Sequence, residues 1–188
     1  VMISLRNQNA GVQVYGMTAE NLATLPRIAD PLNSQGNIGR YVKGIAIGSG
    51  VARELGAAIG DRVKLISPNG VKTAFGISPR INAYEITYIF SAGRYDIDRT
   101  RIYMPLKEAQ SFLNREDVVD EIEVMVEAPE MVDQYTHALL EIAGSGAQVW
   151  TWRDASGAFL RALEVEDNVM FVILSILVLI AAMMIGFQ

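Results

Sequence analysis

The stretch from Val169 to Phe187, VMFVILSILVLIAAMMIGF, carries no charge and has Ser175 as its one polar side chain. As a helix rising about 1.5 Å per residue it would extend roughly 28 Å, close to the ~30 Å hydrocarbon thickness of a bilayer. A buried central helix of a soluble protein is usually shorter and keeps a polar stripe. The stretch therefore reads as a membrane span. It is followed at once by Gln188 with no cluster of Lys or Arg, and Val1 to Leu5 is strand-like with neither a charged n-region nor a signal peptide. The expectation is a piece of a longer protein, in which an earlier span or signal carries the preceding domain across the membrane.

What precedes the span must fold in water. With 188 residues and 51% apolar content the chain can bury a proper core. Cysteine is absent, which removes disulfides and thiolate metal sites, and a formal charge of -5 argues against binding nucleic acid, which needs clustered Lys and Arg.

Periodicity and punctuation predict a mixed α/β domain. Residues 1 to 17 read as a hairpin turning at Arg6 to Asn9, and Thr18 as the N-cap of a helix over 19–25 that ends at Pro26. Asp30 to Gly39 reads as a loop and a possible subdomain boundary. Ile45 to Ile47 is a strand leading through Gly48-Ser49-Gly50 into a helix over 51–55, and Val63 to Ile66 is the next strand. Ser67 to Gly70 is a turn, Gly76 to Pro79 a second breaker group, and Tyr84 to Phe90 alternates with period two, so the chain forms a long strand pair with an irregular projection. A strand at 102–104 leads through Pro105 into a helix over 106–113. Ile122, Val124 and Val126 alternate with acidic residues as a strand would, a helix spans 131–143, and 148–151 closes a strand-helix-strand unit. From Asp154 the pattern is helical into the span.

Chemistry is hard to find. Gly48-Ser49-Gly50 superficially matches a dinucleotide fingerprint, but no acidic residue closes a second strand at the required distance, so a tight strand-to-helix turn is the reading. His137 is the single histidine, which leaves no zinc pair and no histidine-supported nucleophile, and it reads as a surface residue. Glu116, Asp117, Asp120, Glu121 and Glu123 lack the spacing of a calcium loop and read as solvated charge. Asp96 and Asp98 read as stabilising a turn, and no Walker motif occurs. Trp150 and Trp152 lie too far before Val169 for an aromatic belt and are expected to pack against the stalk leading to the span.

The order of motifs resembles a known family. It is carried by Ile45 to Gly56 (IAIGSGVARELG) with Gly60-Asp61, Ile66 to Gly70 (ISPNG), Phe75 to Arg80 (FGISPR), Ile89-Phe90 with Gly93 and Tyr95, Pro105-Leu106 with Ala109-Gln110, and Ile122 to Val124. It runs on through Trp152-Arg153, Phe159, Ala162-Leu163, Glu166 and Val169 to Phe171. Together these are similar to the LolC/LolE permeases of the lipoprotein-releasing ABC transporter, within the MacB-like superfamily. The resemblance implies an α+β fold: a MacB-like periplasmic domain followed by a transmembrane helix, in the bacterial inner membrane. Residues 1–39 and 117–156 would form a Porter-like α/β part and 40–116 a β-rich Sabre-like part. A stalk helix over 157–168 would lead into a membrane helix over 169–188.

It also implies a hook loop over 71–83 that captures a LolA-type periplasmic chaperone through Phe75, Gly76, Ile77, Pro79 and Arg80. The acyl chains of the lipoprotein cargo would meet a cavity lined by Met170, Phe171, Leu174 and Leu177. The implied partners are a LolD-type ATPase, which holds the ATP and Mg while this chain holds no cofactor and is no enzyme, a second permease subunit of the LolE type or a second copy, and membrane lipid. Tyr88, where the family tends to a small residue, and Met183-Met184, in place of a frequent Phe-Asn pair, leave open the LolC type, the LolE type and the combined single subunit. The hook favours the first and last. A MacB-like efflux permease or an FtsX-like regulator of a cell-wall hydrolase is the alternative.

Overall fold

The computed structural model describes residues 1–73, 76–144 and 146–186, in two compact units, Val1–Ile122 and Glu123–Gln188. The first is built on a mixed sheet. Its strands are β1 (Met2–Leu5), β2 (Gln8–Gly11), β3 (Gln13–Met17), β4 (Ser34–Gly36), β5 (Ile45–Gly48), β6 (Arg62–Thr73), β7 (Gly76–Phe90) and β8 (Arg101–Pro105). Their spatial order is β2-β1-β6-β7-β5-β8-β3, with β4 added to β7. The pairs β5/β7 and β3/β8 are parallel and the others antiparallel. Strands from the first 39 residues and from 40–116 thus share one sheet, β1 pairing with β6 and β3 with β8.

Helices cover both faces, which is why β5 reads as a continuous apolar run: all four of its residues are buried. Ile45 and Ile47 join Ile3, Val63, Leu65, Ile86, Ile102 and Met104 in a cluster closed by α2 (Ser49–Leu55) and α4 (Leu106–Leu113). Ala46 belongs with Tyr88, Phe90 and Tyr103 to a second cluster, closed by Leu22 of α1 (Ala19–Thr24) and by Tyr41 of the 3-10 turn Ile38–Lys43. The phenol of Tyr88 donates to the Ile28 carbonyl at 2.8 Å, which accounts for a large residue at that position. Burial pushes the Tyr41 hydroxyl pKa up, and it donates to the Met17 carbonyl at 3.1 Å.

Local signals were followed closely. Thr18 caps α1 by accepting the Asn21 N–H, and Gly56 ends α2 in the left-handed conformation. The glycines of the β5-to-α2 turn admit the neighbouring helix α3 (Tyr95–Thr100): a Cβ on Gly48 would stand 2.3 Å from the Asp98 carbonyl oxygen. The tight turn serves packing, as expected. Helix α3 itself was expected only as a turn, and Asp98 explains its position. Its buried carboxylate accepts the Ala92 N–H at 2.7 Å and so ties the end of β7 to the helix.

Two expected strands did not form. Residues 121–126 and 148–151 have no ladder partner among the described residues, and Ile122 and Met125 are 79% and 73% exposed. Alternation specifies which face would be apolar once a partner arrives, and does not supply the partner. The helices of the second unit, α5 (Val132–Ala143), α6 (Trp152–Ala155) and α7 (Gly157–Gly186), agree with the periodicity. Helix α7 runs about 45 Å at 1.5 Å per residue, longer than a bilayer core, and its charges Arg161, Glu164, Glu166 and Asp167 all lie before Asn168. It is long and apolar enough to cross a membrane, and it fits a transmembrane helix.

Candidate functional site: a projecting hairpin

Strands β6 and β7 are the longest of the sheet, 12 and 15 residues, and their outer ends run beyond their neighbours: β1 stops pairing with β6 at Ile66, and β5 begins pairing with β7 at Ile86. The register is regular from Arg62↔Glu85 to Ser67↔Arg80, then resumes at Val71↔Ser78 and ends at Thr73↔Gly76. Pro68, Asn69 and Gly70 therefore face Pro79 alone. The stretch expected as a turn is a bulge inside one strand. Neither proline can donate to a ladder, which forbids regular pairing at this level. Gly70 completes the bulge, since a Cβ there would lie 1.7 Å from the Ser78 carbonyl oxygen.

The root of the hairpin is fastened to α4. Arg80 Nη1 donates to the Ser111 carbonyl, one of the last in α4, where an arginine also meets the negative end of the helix dipole. Asn114 caps that helix in the left-handed conformation. The Tyr84 ring stands edge-on to Phe112, centroids 6.1 Å apart, and Asn82 Nδ2 donates to its hydroxyl at 3.1 Å. Burial raises the Tyr84 pKa, partly offset by that hydrogen bond. An apolar cavity of about 520 Å³ opens beside the root, among Val1, Met2, Ala10, Ile66, Pro68 and Pro79.

The expected hook residues fall as follows. Phe75 lies outside the described residues. Gly76 has φ +125° opposite Thr73, and Ile77 pairs through its backbone with Lys72. Pro79 lies at the bulge and on the cavity, while Arg80 is half-buried on α4, so the site divides into an outer loop and an anchored root. The anchor to α4 had no sequence signal, because Arg80 and Ser111 are 31 residues apart. Met170, Phe171, Leu174 and Leu177 are all exposed along α7, with Met170, Leu174 and Leu177 on one helical face. No group of three metal-ligating side chains occurs among the described residues. Glu116, Asp117, Asp120, Glu121 and Glu123 are exposed, and His137 is exposed with Glu141 as its i,i+4 neighbour.

The family profile described as the MacB-like periplasmic core domain matches residues 2–142. The chain is 27% identical over 140 residues to the lipoprotein-releasing system transmembrane protein LolC of Neisseria meningitidis serogroup B, covering 73% of this chain and 34% of that protein. It is 28% identical over 137 residues to the protein of the same name from Buchnera aphidicola, covering 69% of this chain and 32% of that protein. The chain thus spans about a third of the length of these curated relatives.

Proposed function

Because the chain belongs to the family of the MacB-like periplasmic core domain and ends in a helix that fits a membrane, we propose that it is the periplasmic domain and an adjoining membrane helix of an ABC permease that releases lipoproteins from the bacterial inner membrane. The observation that carries this reading is the projecting β6/β7 hairpin on a domain similar to LolC. In it the outer loop, with Phe75, Gly76, Ile77 and Pro79, meets a LolA-type chaperone, and Arg80 holds the root at a fixed angle. Hot spots of protein interfaces are commonly aromatic and arginine side chains set in an apolar rim; the sequence of this segment supplies Phe75, and an apolar cavity lined in part by Pro68 and Pro79 opens at the hairpin root.

The chain itself does no chemistry in this reading. ATP hydrolysis takes place on a LolD-type subunit, a second permease subunit completes the transporter, and lipoprotein acyl chains meet the apolar face of Met170, Phe171, Leu174 and Leu177. The division into Porter-like (1–39 with 117–156) and Sabre-like (40–116) parts belongs to the same proposal, and has to accommodate a sheet that both ranges share.

The test is binding of the detergent-solubilised chain to purified LolA from the same organism. Saturable binding that Phe75→Ala weakens at least about tenfold, or about 1.4 kcal/mol, supports the reading. Absence of binding by a chain of unaltered circular dichroism would shift the assignment to the LolE type, a MacB-like efflux permease or an FtsX-like regulator, relatives for which no such loop is expected.

A further inference from the structure

The second unit is held together in an uncommon way. None of its described side chains is buried, so apolar packing contributes little to its arrangement. The join between α6 and the turn before α5 is made instead by two adjacent side chains. Trp152 Nε1 donates to the Pro129 carbonyl at 2.7 Å. Arg153 Nη1 donates to Asp133 Oδ2 at 2.8 Å, and its Nη2 to the Glu130 carbonyl at 2.6 Å. The guanidinium also lies 5.5 Å from the centroid of the Trp152 ring, within cation–π range. Arg153 Nε is sheltered from solvent without a partner, a cost tolerated only where the other contacts fix the group.

The same turn is rigid in its backbone. Thr151 and Asp154 form a reciprocal capping box, the carboxylate accepting the Thr151 N–H at 2.8 Å, and the Thr151 hydroxyl bond holds the Asp154 pKa below its usual value. Immediately beyond lies a soft point. Helix α6 ends at Ser156 with φ -99° and ψ 6°, and α7 begins at Gly157. Glycine is the costliest ordinary residue in a helix short of proline, by about 1 kcal/mol against alanine. Packing does not demand it here, since a Cβ on Gly157 would meet Arg161 Nη1 at 3.5 Å, an ordinary contact.

We propose that Trp152 and Arg153 are a clasp that keys the root of the long apolar helix α7 to the start of α5, and that Ser156–Gly157 is the joint that swings when the clasp opens. Both are positioning residues, acting through the direction of α7. Closed, the clasp passes a tilt of α7 to α5; open, the joint absorbs it. The inference concerns the chain's own rigidity and goes beyond the transport reading, needing neither chaperone nor cargo to be tested.

The absence of cysteine allows paired spin labels at Gln134→Cys and Glu164→Cys, both exposed, in the full chain held in lipid nanodiscs. One narrow distance distribution is expected, broadened about twofold by Trp152→Ala or Arg153→Ala, and less by Arg153→Lys, whose ammonium lacks the fixed fork that serves two acceptors. Gly157→Ala added to Arg153→Ala narrows the distribution again. Unchanged widths in the alanine variants overturn the clasp. Should those variants lose helical circular dichroism, Asp133→Asn, which removes the charge partner at constant volume, decides in the same way: broadening supports the clasp and an unchanged width overturns it.

Discussion

At the scale of single residues, the chain's most demanding position is Gly70. The bulge brings the Ser78 carbonyl where any side chain would begin, so a substitution must push the two strands apart. Gly70→Ala is expected to cost about 2 kcal/mol and to expose the amides of residues 71–73, 76–78 and 80 to exchange, while those of β5 and β8 stay protected. Hydrogen exchange with mass spectrometry resolves the two regions. Equal protection throughout would mean that the bulge relaxes without loss. The turn signal of Ser67 to Gly70 was plain in the sequence. That it bends a strand without reversing the chain depends on Pro79 facing it, ten or so residues away, which no local window contains.

At the scale of elements, α4 connects the hairpin to the core. One face packs Ala109 and Phe112 into the larger cluster, and the last turn receives Arg80. Phe112→Ala removes a fully buried ring that also meets Tyr84, and is expected to lower stability by about 3–5 kcal/mol in urea unfolding of the first unit's signal. A loss under 1 kcal/mol would mean that the hairpin root is held by its strands alone. The start and end of α4 were legible from Pro105 and the apolar spacing. Its role as an anchor was not, because a hydrogen bond to a carbonyl leaves no mark in composition. The failed strands at 121–126 and 148–151 are the converse case, with clear local patterns and no partner among the described residues.

At the scale of the whole molecule, charge is divided as sharply as hydrophobicity: the apolar run of α7 bears no charge from Asn168 onward, while the preceding 167 residues carry all 37 charged side chains of the chain, 16 basic and 21 acidic. The chain is therefore expected to stay in solution only with detergent or lipid, whereas a version ending at Leu163 should elute from gel filtration without either, since its first unit buries its own core. Aggregation of the shortened version in plain buffer would place a needed partner surface on the domain itself.

The sequence by itself determined the apolar helix, most helix limits, the family and the lack of enzyme motifs. Each of these rests on the identity or local spacing of residues, which short-range sterics and solvation read directly. Only the tertiary structure decided the strand order, the bulge opposite Pro79, the fastening of Arg80 to α4 and the clasp of Trp152 and Arg153 on Pro129 to Asp133. These are pairings between residues distant in the chain, selected by which edge or carbonyl is left unsatisfied once the core has formed, and that choice exists only in the folded molecule.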